Sequence, residues 1–321
     1  MIATFARVAI VALGLVASPV IAGPDEDRAA LVRLQQEDAR LQSIGWRLAT
    51  ANAPFCAPRS SIGLLLQDMA NFTDPARMRA ATGIAGDIAV QAVAAGSPAE
   101  IAGLAANDEI VAIDRRAMAD LPPAKAGDWQ RLASLHGLVD AALDRDGEVR
   151  IAFRRAGDES REVTVGSNLT CPSRFELIDN SERAVADGKR VLIGRKFAGL
   201  DYSEDELAAA LAHEFAHNLL GHRAWLREAG RKRANIRLTE READRLMPWL
   251  LANAGYPPEA AARFFERWGP GNGGWIFRAR THDGWDERAD FVRAELSAIE
   301  SLRANGSAAD WRTHFRREIE P

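Results

Sequence analysis

The chain has 321 residues, enough for two domains with cores of their own. Its 47% hydrophobic and 27% charged residues are those of a folded globular protein. A net charge of −4 leaves no basic footprint, so nucleic acid is excluded as an expected partner; the run Arg231-Lys232-Arg233 reads as a solvated face.

At the N-terminus Arg7 precedes an apolar stretch from Val8 to Val16, and Val20-Ile21-Ala22 follows. A charged start, a short hydrophobic segment and an A-x-A-like site mark residues 1–22 as a signal peptide. The stretch falls short of the ~20 residues that span a bilayer, and a retained anchor is the alternative. No cysteine stands at the cleavage site to take a lipid, and no later apolar run is long enough to cross a membrane. The expectation is an exported, periplasmic and soluble chain, with no transmembrane span after signal cleavage. Next, Asp25 to Ala51 reads as a helix, because Leu31, Leu34, Leu41, Ile44 and Leu48 recur at helical spacing. Pro54, Cys56 and Pro58 break it, so residues 25–56 form an N-terminal helical segment associated with the domain that closes the chain.

Residues 80–166 read as a separate, β-rich module. Ile88 to Val93 alternates as a strand, Gly96-Ser97-Pro98-Ala99 and Ala102-Gly103-Leu104 follow, and Asp108 to Asp114 reads as another strand. A helix then runs from about Trp129 to Leu143, and strands at Val149 to Arg154 and Arg161 to Val165 close the unit. This order resembles a bacterial PDZ domain, whose G-S-P-A-x-x-A-G-L-x-x-x-D-x-I signature is matched from Gly96 to Ile110. The resemblance implies capture of extended peptides by strand addition, at peptide C-termini. It puts the binding loop near Thr82-Gly83-Ile84-Ala85-Gly86, away from the usual G-L-G-F form.

The two cysteines, Cys56 and Cys171, stand on either side of this module. In an oxidising compartment they are expected to pair and clamp the base of the insert; two buried free thiols are the alternative. From residue 171 to 320 the chain reads mostly helical, with one strand at Arg190 to Gly194.

Ser203-Glu204-Asp205-Glu206 reads as a capping box opening a helix that carries His213-Glu214-Phe215-Ala216-His217. Residues four apart share a helical face, so both imidazoles can reach one ion, with Glu214 beside them to take a proton from water. Zinc then needs a third protein ligand and an open position. Leu220 and Arg223 stand where the metzincin continuation has glycine and histidine. His222, five residues past His217, is about 140° around the helix from it and reads as a helix-end residue. The better source is Thr239 to Arg245, where Glu240 and Asp244 share a face, so that one can bind metal and the other support a histidine. Glu242 points elsewhere on that helix, and Thr239-x-x-Glu242 is also compatible with a capping box.

With these residues the chain resembles the gluzincin peptidases, the group that includes the CAAX prenyl proteases, HtpX, Oma and BepA-type enzymes. The resemblance covers roughly residues 172 to 305. It rests on Glu204 through His217, on Glu240-x-x-x-Asp244, on Ala254-Gly255-Tyr256-Pro257, and on Thr281-His282-Asp283 with Arg288. In the last element aspartate replaces the family's proline. The resemblance implies an α+β fold: a mostly helical gluzincin domain with a small edge sheet, plus the inserted PDZ-like domain. It implies that His213, His217 and Glu240 bind one Zn2+ per chain, that Glu214 is the catalytic base, and that Asp244 supports a ligand. His282 and Arg288 become candidate oxyanion donors, with a purely structural role as the alternative. The strand of Val191, Leu192 and Ile193 would hold substrate in extended form.

The expected function is a zinc endopeptidase acting on polypeptides of the envelope or on misfolded proteins, with the PDZ-like module selecting substrate. The rival is a PDZ-bearing chaperone-like or assembly factor with a structural or proteolytically silent zinc site.

Overall fold

The computed structural model describes residues 24–122, 129–178, 181–272 and 283–319. The expected signal peptide, residues 1–22, lies outside them, as does His282. The fold is α+β.

Helix α1 (Pro24–Ala51) buries Leu31, Leu41, Ile44 and Leu48, the stripe expected from their spacing. Strand β1 (Arg59–Ser61) leads out of it and pairs antiparallel with β8 (Asn168–Thr170), so these two short strands form the neck of a sheet unit. That unit holds β2 (Leu64–Asp68), α2 (Pro75–Thr82), β3 (Ile88–Val93), α3 (Pro98–Ile101), β4 (Glu109–Ile113) and β5 (Arg116–Ala117). It continues with α4 (Trp129–Asp146), β6 (Glu148–Arg154) and β7 (Arg161–Gly166). The strand order is β2-β3-β4-β6-β7, with β5 beside β4. Leu64, Leu66, Val90, Ile110, Ile151 and Phe153 of the sheet pack with Leu135, Val139 and Leu143 of α4. The unit therefore starts before residue 80: that boundary falls inside α2, and β2, whose Leu64-Leu65-Leu66-Gln67-Asp68 shows no alternation, is buried along its whole length.

After the neck come β9 (Arg174–Ile178), β10 (Ala184–Ala186) and β11 (Arg190–Gly194), ordered β10-β11-β9. The Asp187-Gly188 turn between β10 and β11 follows from its residues. Gly188 has φ +95°, and the Asp187 carboxylate accepts the main-chain N–H groups of Lys189 and Arg190. The helices that complete the fold are α5 (Glu204–Leu219), α6 (His222–Ala229), α7 (Arg233–Asn253), α8 (Ala260–Asn272), α9 (Trp285–Ala304) and α10 (Trp311–His314). None of the described helices is long and apolar enough to cross a membrane.

Two devices join the units. Cys56 and Cys171 form a disulfide, Cα to Cα 5.8 Å and 115 residues apart, at the neck. Helix α1 serves both units: Asp38 accepts from Gln91 Nε2 of β3 at 2.6 Å and from the Leu177 N–H of β9 at 2.9 Å. Leu41, Ile44 and Leu48 meanwhile belong to the helical core.

Burial pushes the Asp38 carboxyl up to about 6, helped by Glu176 and Glu37 and opposed by its two hydrogen bonds. A folded pKa above the unfolded one means that the protonated acid stabilises the fold below about pH 4, and this is lost as pH rises through about 6. Relative to Asp38→Asn, the wild type should therefore gain on the order of 2–3 kcal/mol of unfolding free energy between pH ~7.5 and pH ~4. A pH-independent difference in denaturant titrations contradicts this. Replacing Cys56 and Cys171 together by serine should cost about 2–5 kcal/mol. An unchanged unfolding midpoint would show that the bridge does not hold the neck.

Candidate metal centre

Helix α5 carries Ala208, Ala209, Ala210, Ala212 and Ala216, all buried in one core with Ala243, Leu246 and Trp249 of α7. Short side chains let the two helices approach closely, which brings the histidines of α5 to the acids of α7. His213 Nε2 lies 3.2 Å from His217 Nε2 and 3.3 Å from Glu240 Oε2. His217 Nε2 lies 3.6 Å from Glu240 Oε1. The three side chains present donor atoms within 4.8 Å of one another. Ligands held 2.0–2.1 Å from one ion at tetrahedral angles stand about 3.3–3.4 Å apart, so this spacing suits zinc.

Each histidine is backed on its far side. His213 Nδ1 lies 2.9 Å from Asp244 Oδ1, close enough to keep a proton there although the angle falls short of a well-formed hydrogen bond. Arg288 donates to both oxygens of Asp244 at 2.7 Å. His217 Nδ1 lies 2.9 Å from His222 Nδ1, and His222 Nε2 lies 3.0 Å from Glu242 Oε2.

Burial pushes the Glu214 carboxyl up to about 7, and Glu240 adds to the rise. His213, Arg288 and the Ala186 main-chain N–H pull it the other way. A value near neutrality suits a general base. Burial opposes the charged form of His213, but Asp244 and Glu240 outweigh it and hold the imidazole up at about 10. The negative potential that retains a proton there also favours a dication. His217 is pushed down to about 3, first by burial and then by the neighbouring histidines. Its lone pair is therefore free for coordination.

Several expectations need correction. Val191, Leu192 and Ile193 lie on the central strand, paired on both sides, so they cannot receive a substrate strand. The open edge belongs to Ala184, Val185 and Ala186 of β10, whose outer side no strand among the described residues occupies. Arg288 is only 6% exposed and spends two donors on Asp244, so it positions that acid rather than meeting an oxyanion. Asp283 pairs with Arg237 and Arg241, tying the start of α9 to α7. Thr239 caps nothing, since α7 begins at Arg233 and the Thr239 hydroxyl donates to the Ile236 carbonyl. At the loop of Thr82 to Gly86, the Ala85 and Gly86 N–H groups donate to the Glu109 carboxylate.

His222 stands at a helix end and outside the ligand cluster, as expected, but its contacts with His217 and Glu242 were not foreseen. A 140° separation holds along one continuous helix, but Gly221, at φ +69°, ends α5 and restarts the chain as α6 with His222 in its first turn. Leu220-Gly221 is the signal that could have found it. A cleft of about 910 Å³ runs between α4 of the sheet unit and the Asp187–Arg190 turn beside β10, lined by Trp129, His136, Arg174 and Lys189 among others.

No family model, curated protein or solved structure matches the chain.

Purified protein should carry about one zinc per chain, and Glu240→Ala or His213→Ala should lose it. Full metal content in Glu240→Ala, measured by elemental analysis, would remove Glu240 from the ligand set.

Proposed function

We propose that the chain is an exported zinc endopeptidase of gluzincin type, carrying an inserted PDZ-like module and acting on polypeptides. The observation that carries this reading is the convergence of His213, His217 and Glu240 beside Glu214, next to an edge of β10 that no strand among the described residues occupies. When bound by these three residues, zinc supplies Lewis-acid polarisation of the scissile carbonyl and makes water acidic enough to attack near neutral pH.

The chain's own residues do the rest. An extended substrate segment pairs its main chain with Ala184, Val185 and Ala186, which binds backbone with little regard to sequence. Glu214 takes the proton from the attacking water and returns it to the leaving amine. The Ala186 N–H that faces Glu214 ties the base to the substrate-binding edge. Asp244, clamped by Arg288, orients His213. The cleft between α4 and the β10–β11 turn gives the sheet unit a route for handing polypeptide to that edge. A purely structural zinc site has no use for a half-buried acid at position 214, so Glu214 favours hydrolysis over a silent site.

Glu214→Gln should keep zinc and lose about 10²–10⁴-fold in the rate of cleaving an unfolded polypeptide, followed by the appearance of new amino termini. Cleavage by Glu214→Gln at the wild-type rate would overturn the assignment.

A further inference from the structure

Glu242 is fully buried. Its carboxylate accepts from Arg317 Nη2 at 2.8 Å and Nε at 3.2 Å, from the Ile319 N–H at 2.8 Å, and from the Glu318 N–H. All of these donors come from the segment after α10, which is seated on α7 by Glu318 pairing with Arg241 and Arg245. A carboxylate with so many donors has only lone pairs to offer, so the remaining partner, His222 Nε2 at 3.0 Å, carries a hydrogen and donates it.

The proton pattern then propagates in one direction. A neutral imidazole has a single N–H, so His222 Nδ1 is an acceptor. It stands 2.9 Å from His217 Nδ1, which must therefore carry its own hydrogen. That leaves His217 Nε2 bare, and Nε2 is the atom that faces His213 and Glu240. We propose that His222 and Glu242 are positioning residues: a hydrogen-bonded chain from the C-terminal segment fixes the tautomer and ring orientation of His217 for metal binding. The inference rests on the zinc reading above.

The two ligand histidines are thus supported in parallel but by different means. His213 leans on an arginine-held carboxylate directly, whereas His217 reaches one through an inserted imidazole. The C-terminal segment, although it offers no ligand in this set, becomes part of what sets metal affinity.

The test uses the full chain and zinc affinity measured by competition with a chromophoric chelator. His222→Leu removes the acceptor while leaving Glu242 held by Arg317 and two main-chain donors, and should weaken zinc binding about 10–100-fold. His222→Gln should stay close to wild type, because its amide oxygen can accept from His217 and its NH2 can donate to Glu242. The visible spectrum of the cobalt-substituted leucine variant should also depart from wild type, with matched thermal unfolding of the metal-free proteins. Wild-type affinity in His222→Leu, or equal loss in the glutamine and leucine variants, overturns the chain. If the leucine variant does not fold, Arg317→Met carries the test: weaker binding supports the chain and unchanged binding overturns it. A wild type that binds no zinc overturns the zinc reading together with this inference, whereas a zinc-binding wild type with indifferent variants overturns this inference alone.

Discussion

Glu240, Glu242 and Asp244 stand within five residues of α7; Glu242 and Asp244 are buried and Glu240 is partly so. Burying an unpaired carboxylate costs several kcal/mol, so each must find cations or donors. The fold around them supplies these: Arg288 from α9 for Asp244, and Arg317 with two main-chain N–H groups for Glu242. Glu240 meets the ring nitrogens of His213 and His217, where a dication would complete the balance. Satisfying buried charge on one helix thus dictates where α5, α6, α9 and the C-terminal segment have to lie.

The same logic explains how the two units stay joined. Helix α1 presents Asp38 to β3 on one side and β9 on the other, and then runs into the helical core. The disulfide closes the neck a few residues beyond its end. The sheet unit is therefore held at its base by a covalent bond and along its flank by a shared helix. The cleft is bounded on one side by the Asp187–Arg190 turn that follows β10.

How much of this was legible in the sequence depended on whether the signal was local. The leucine spacing of α1, the His213–His217 pair and the joint placing of Glu240 and Asp244 rest on helical geometry alone, and they stand in the structure as expected. The pairing of the two cysteines followed from their positions around the insert. Strand neighbours were another matter. That β11 is central and β10 the edge depends on Arg174–Ile178 pairing from the other side, which no local pattern announces. β2 was overlooked because a strand buried on both faces shows no alternation. The roles of His222 and Glu242 were hidden by a helix break at Gly221 and by donors arriving from more than seventy residues away.

Two imidazoles and one carboxylate make up the proposed zinc site. X-ray absorption at the zinc edge of the purified full chain tests it most directly. The account predicts a four-coordinate shell with two imidazole nitrogens and two oxygens at about 2.0–2.2 Å, one oxygen from Glu240 and one from solvent. A shell with three imidazoles, which would draw in another histidine, or a six-coordinate all-oxygen shell, would contradict it.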